Sequence, residues 1–206
     1  MPGSSLLSVL ESIRNEWQGR CIWKCVRVMT RLRHIAAALL AVTLLPGVTL
    51  QQMTVDEMTQ QATAIVTARV TGTSASFTGQ TIYTHYKLQI TETLKGFPTQ
   101  DVVVPGGTVG KYRQLFPGTP ELQPGQDYLL FLWTSSTGLT HLMGLSQGVF
   151  ALAPQADGST VASRGIIGEL MLDKTGRQVR DQGVQMKLAD VRTRIVTLQR
   201  SGTVLR

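Results

Sequence analysis

At 206 residues, with 42% hydrophobic and only 16% charged side chains, the chain has room for one globular domain plus a tail or targeting segment, which argues against a multidomain enzyme and against general disorder. Its formal charge of +7 suggests nucleic acid at first. Residues 1–50, however, hold 6 of the 20 basic and 2 of the 13 acidic residues, and the 14 basic against 11 acidic that remain form no run able to follow a phosphate backbone, so no nucleic-acid partner is expected.

From the N-terminus, Arg31, Arg33 and His34 precede an apolar run from Ile35 to Leu45 that ends at Pro46 and Gly47. This is the order of a secretory signal, and the run is shorter than the ~20 apolar residues that cross a bilayer. Residues 29–50 are therefore expected to be a signal peptide cleaved somewhere in 48–53, or else a retained anchor, which is the one route to a membrane. The expected location is exported: periplasmic, extracellular or envelope-associated. Residues 1–28 are too long for the head of such a signal and read as a mis-assigned start, with Met29 as the true one, or as a disordered extension. Cys21 and Cys25 fall in that stretch and lack the companion ligands of a metal site, so neither a disulfide framework nor a bound metal is expected.

Thr54 and Glu57 have the spacing of a capping box and predict a short helix over 55–62. Alternation from Ala64 to Val70 predicts a half-buried strand. A long, bent strand follows, with Ile82, Tyr86, Leu88, Ile90 and Leu94 on one face and His85, Lys87, Gln89, Thr91 and Thr93 on the other. Residues 101–104 give a short strand. The run from Tyr128 to Trp133 is apolar throughout and predicts a central strand covered on both faces. Two further strands are expected around a turn at Ser146–Gly148, and tight turns at Asp157-Gly158 and Lys174–Gly176. Leu188, Val191, Ile195 and Leu198 recur at helical spacing and predict an amphipathic C-terminal helix over about 188–200. These elements divide the exported part into a β-barrel-like domain over 54–154 and a β-turn extension with a C-terminal helix over 155–206.

The segments "AIVTARV", "IYTHYKLQITETLKG", "VPGGTVG", "FPGTPELQPGQDYLLFL" and "GLSQGVFAL", from about Ala64 to Pro154, resemble a family of uncharacterised exported bacterial proteins. More distantly, the order of strand, long strand and LKG is similar to the OB-like barrel of netrin and metalloproteinase-inhibitor modules. Neither resemblance implies an activity, a cofactor or a catalytic residue. Together with the absence of βαβ alternation, the elements predict a mainly β fold of the α+β kind: a small OB-like β-barrel or curled antiparallel sheet with one short N-terminal and one C-terminal helix.

Two motifs suggest chemistry and fail on their own terms. GGTVGK has proline (Pro105) at the first position of a phosphate-binding loop and tyrosine (Tyr112) at the last, and no helical pattern follows Lys111. Gly144–Gly148 matches G-x-S-x-G, but no histidine follows Ser146 and the next residues read as strand rather than helix. His85 and His141, with Asp127 or Glu92, would be the material for a metal site or hydrolase, yet His85 lies in phase with Lys87 while His141 lies in phase with Leu139, Met143 and Leu145, which predicts opposite faces.

What remains is a long loop from Pro105 to Gln126, carrying Lys111, Tyr112, Arg113, Leu115 and Phe116, beside the polar strand face around Tyr83 and His85. The expected function is thus a non-catalytic module binding a protein or envelope component through Lys111, Tyr112, Arg113, Phe116, Tyr83 and His85, with no cofactor. The competing expectations are a hydrolase or metal-dependent enzyme using His85 and His141, and a membrane-anchored structural accessory.

Overall fold

The computed structural model describes residues 48–203; the expected 1–28 extension, most of the 29–50 segment and both cysteines lie outside the described residues. In chain order the elements are β1 (Thr49–Gln51), α1 (Val55–Gln61), β2 (Ala64–Thr78), β3 (Thr81–Gly96), β4 (Asp101–Pro105), β5 (Gly107–Val109), β6 (Tyr112–Gln114), β7 (Asp127–Thr134) and β8 (Thr140–Leu142). A 3₁₀ turn at Leu145–Gly148 leads to β9 (Val149–Pro154), β10 (Thr160–Arg164), β11 (Leu170–Leu172), β12 (Gln178–Val179), β13 (Val184–Lys187) and α2 (Leu188–Thr203). The fold is mainly β, as the alternation predicts.

Helix α1 starts where the capping box sets it: Thr54 Oγ1 accepts the Glu57 amide at 3.2 Å, and the Glu57 carboxylate accepts the Thr54 amide at 2.8 Å. The following hairpin, β2–β3, is bent by three register shifts that leave Leu94, Thr91 and Thr71 unpaired. Each shift reverses which residues point inward. The one at Thr91 sends Leu94 to a different core from Ile90, correcting the single face expected for β3. The one at Thr71 turns Ser74 and Ser76 outward with His85 and Tyr83.

Eight strands form one sheet in the order β13-β10-β9-β7-β2-β3-β4-β8. Strand β8 pairs parallel with β4 at Val103 and His141 and antiparallel with β7 from Leu132 to Thr134, so the sheet curls until β8 bridges two strands that stand three places apart in its order. Inside the curl lies one core of Val66, Ala68, Val70, Tyr86, Leu88, Val102, Val104, Leu130 and Leu132. On the other side Ile65, Leu129, Phe131 and Phe150 meet Met58 of α1 and Leu188, Val191 and Ile195 of α2. Strand β7 supplies both, alternating Leu130 and Leu132 with Leu129 and Phe131, which is why its whole run is apolar. Trp133 is the exception to the predicted double cover. It follows Leu129 and Phe131 on their face but stands outside their core, with 46% of its surface exposed.

Residues 155–187, where sequence pattern fades, extend the fold. Strands β10 and β13 continue the large sheet, while β11 and β12 join β1 in a three-stranded sheet over Leu50, Ile167 and Met171. Both predicted turns form, with Asp157 Oδ1 accepting the Ser159 amide and Asp173 Oδ1 the Thr175 amide. Two buried polar devices join distant segments. Gln147 accepts the Met53 amide at 2.8 Å and donates to the Gln51 carbonyl at 2.9 Å. Arg164 forks onto Asp181 at 2.8 and 3.0 Å, and Asp181 also accepts the Ile167 amide at 2.8 Å.

Candidate functional site

The long loop expected over 105–126 is instead a hairpin followed by an irregular segment. Strands β5 and β6 turn through Gly110 and Lys111, with Gly110 in the left-handed region at φ 58°. The hairpin is seated on the distal end of β2–β3. Gln114 accepts the Ile82 amide at 2.7 Å and donates to the Gln80 carbonyl at 2.8 Å, while Thr84 donates to the Gly106 carbonyl at 2.8 Å. Gly107, at φ 136°, lets the two backbones approach: a Cβ there would stand 2.6 Å from Thr84 Oγ1 and 3.3 Å from the Ala75 Cβ. The GGTVGK stretch is therefore a strand and a turn that lead into a second strand at Tyr112, without the helix N-terminus that phosphate would require.

Around this hairpin the surface is apolar and basic. Phe77 and Tyr112 meet edge to face with ring centres 6.0 Å apart, Lys111 lies 5.4 Å from the Tyr112 ring centre, and Leu115 is 73% exposed beside Phe116. Beneath Arg113 and Phe116 a cavity of about 450 Å³ opens, bounded by Thr84, Tyr86, Val104 and Leu122. Tyr86 Oη accepts the Leu122 amide at 3.3 Å, and burial raises its phenol above the ordinary value.

The residues expected to share one surface occupy two. Tyr112 and Phe116 belong to the side on which Ile82, Thr84 and Tyr86 face the hairpin, whereas Tyr83 and His85 point from the opposite side of β3. There the registers place His85 opposite Val103, Val103 opposite His141, and His141 opposite Trp133. His85 and His141 thus share the outer face, two strand spacings or about 10 Å apart, which corrects the opposite faces expected from the pattern. The error is one of phase: Thr140 and Leu142 are the buried residues of β8, so His141 between them turns out.

His141 lies between Tyr83, which it meets edge to face at 6.0 Å, and Trp133, tilted against it at 5.9 Å between ring centres, and burial lowers its basicity. His85 lies in a diagonal line across three strands. Ser76 Oγ on β2 is 2.9 Å from His85 Nε2, and His85 Nδ1 on β3 is 3.2 Å from Asp101 Oδ2 on β4. Lys87 Nζ reaches the same carboxylate oxygen at 3.2 Å.

No family model, curated protein or solved structure matches the chain.

The two acids weighed as partners for the histidines are engaged elsewhere. Asp127 is forked by Arg69 at 2.9 and 2.6 Å, which holds its carboxyl below the usual carboxylate range, and Glu92 accepts Arg192 at 2.6 Å. Among the described residues no group of three His, Cys, Asp or Glu side chains converges as a metal site would need. Ser76 and Asp101 were missed by sequence reasoning. Strand periodicity alone would place Ser76 on the inner face, and only the shift at Thr71 brings it beside His85.

Proposed function

We propose that the chain is an exported bacterial module of the OB-like kind, which acts by binding an envelope or extracellular protein at the β5–β6 hairpin. The observation that carries this reading is the cavity of about 450 Å³ beside exposed Tyr112, Leu115 and Phe116. A pocket of that size accepts one large apolar side chain, and anchors seated in such pockets account for most of the affinity of small interfaces. Arg113 lines it and Lys111 stands at the hairpin turn, and together they outnumber Glu121, the acidic residue in its wall, so the partner's complementary segment carries carboxylates beside its apolar anchor. The ring of pairings through β2, β3, β4, β8 and β7 supports the OB-like resemblance, since a partly open five-stranded barrel is that fold's frame.

A photo-crosslinking residue at position 112, compared with one at position 157 in a distant turn, tests the binding site in the native host. A discrete adduct from 112 that is missing from 157, and that weakens at least about tenfold when Lys111→Glu and Arg113→Glu are combined, is expected. An adduct indifferent to the charge reversal would refute the proposed partner chemistry. Export is tested by the N-terminal residue of the protein recovered from periplasm or medium. Cleavage ahead of Thr49 is expected, because a cut after Gln51 removes β1 and the Gln51 carbonyl that Gln147 holds.

A further inference from the structure

The outer face of the sheet carries a second arrangement that goes beyond binding. Three adjacent strands contribute Ser76, His85 and Asp101, in the chain order nucleophile, base, acid. Both bonds that define such a relay are at working distance, 2.9 Å from Ser76 Oγ to His85 Nε2 and 3.2 Å from His85 Nδ1 to Asp101 Oδ2. The carboxylate can only accept, so Nδ1 carries a proton, and in the neutral ring Nε2 is left with the lone pair that accepts the serine hydroxyl. Lys87, on the same oxygen of Asp101, holds the acid in place, and the Asp101 backbone carbonyl is fixed by Thr99 Oγ1 at 2.9 Å. Ser76 is exposed, and its register partner across the hairpin is Tyr83, the first ring of the Tyr83, His141, Trp133 row.

We propose that Ser76, His85 and Asp101 form an acyl-transfer site on the open face of the sheet, taking aryl esters whose ring rests on Tyr83 and His141. In the first step Ser76 Oγ bonds to the acyl carbon and its proton passes to His85 Nε2. The ester C–O bond then breaks, and the phenol leaves with that proton. In the second step water adds to the acyl-serine with His85 as base, the Ser76 ester bond breaks, and a carboxylic acid and the free hydroxyl are restored. Lys87 is a positioning residue, acting through Asp101.

The test is labelling of the full chain with a fluorophosphonate, followed by intact mass and peptide mapping, together with p-nitrophenyl acetate turnover. A single adduct on Ser76 is expected, absent in Ser76→Ala, unchanged in Ser74→Ala on the same face, and formed at least about tenfold more slowly in His85→Ala and Asp101→Asn. Because Ser76 is exposed, an unaltered circular dichroism spectrum of Ser76→Ala separates loss of the nucleophile from loss of fold. No adduct on the native chain, an adduct that survives Ser76→Ala, or a labelling rate indifferent to His85→Ala overturns the proposal.

Discussion

Gln147 is among the few polar side chains that are fully buried, and both ends of its amide are used, on Met53 and on Gln51. Gln147→Leu keeps the volume but leaves a buried amide and carbonyl without partners, so a loss of about 2–4 kcal/mol is expected in chemical denaturation. A loss below 1 kcal/mol would mean water replaces the side chain. Gly96 is constrained from another direction. At φ 67° a Cβ would sit 1.9 Å from the Thr63 carbonyl oxygen, a backbone atom that cannot step aside. Gly96→Ala is therefore expected to cost more than about 3 kcal/mol, and an equal melting temperature for the two proteins would contradict the close approach. Residues of this kind differ in how far sequence discloses them. Thr54 and Glu57 were legible because a capping box is complete within four residues. Gln147 was not, since its partners lie 94 and 96 positions away and nothing in the surrounding "LSQGV" marks the glutamine as clamped.

Among elements, the long strands and the C-terminal helix could be read because burial imposes periods of 2 and 3.6 on adjacent residues. Helix α2 begins at the expected Leu188, and its Ile195 is wholly buried. Ile195→Ala is expected to cost about 2–5 kcal/mol by urea titration, against little for the exposed neighbour Val196→Ala. The β5–β6 hairpin was unreadable because three-residue strands are too short to show a period, and its stability comes from Gln114 reaching back to Ile82 and Gln80. Gln114→Ala should speed hydrogen exchange at the Ile82 amide by at least about tenfold while exchange at β7 is unchanged. The candidate relay was hidden for a related reason. Ser76 stands outward only because Thr71 is left unpaired, and a bulge leaves no reliable mark in a serine- and threonine-rich strand.

For the molecule as a whole, acid is the informative perturbant. Burial pushes the Asp181 carboxyl up, but the Arg164 fork and the Ile167 amide outweigh it and hold the group below its ordinary 3.8. Lys174 and the Thr54 cap hold Glu57 down to about 2, from an ordinary 4.5. Groups with lowered folded values bind fewer protons when folded, so their stabilisation is complete above the unfolded values and disappears as pH falls through the folded ones. Stability should accordingly be level above about pH 5 and fall steeply from about pH 4.5 towards 2. Asp181→Asn should flatten part of that acid limb and, by leaving a buried guanidinium uncompensated, cost about 3–5 kcal/mol at neutral pH. A limb of unchanged steepness in that variant would assign acid unfolding to other carboxylates.

The second core has a consequence in time rather than in space. A ribosome delivers the chain from its N-terminus, and the five strands that curl around the first core have all emerged by Leu142. The face formed by Ile65, Leu129, Phe131 and Phe150 then waits for Leu188, Val191 and Ile195, which arrive last. Until they do, a nascent sheet displays two phenylalanines, a leucine and an isoleucine to whatever surrounds it, which is the condition under which partly made β-proteins stick to one another. The sixteen-residue helix α2 is thus the late-arriving cover for a face that the earlier strands leave open.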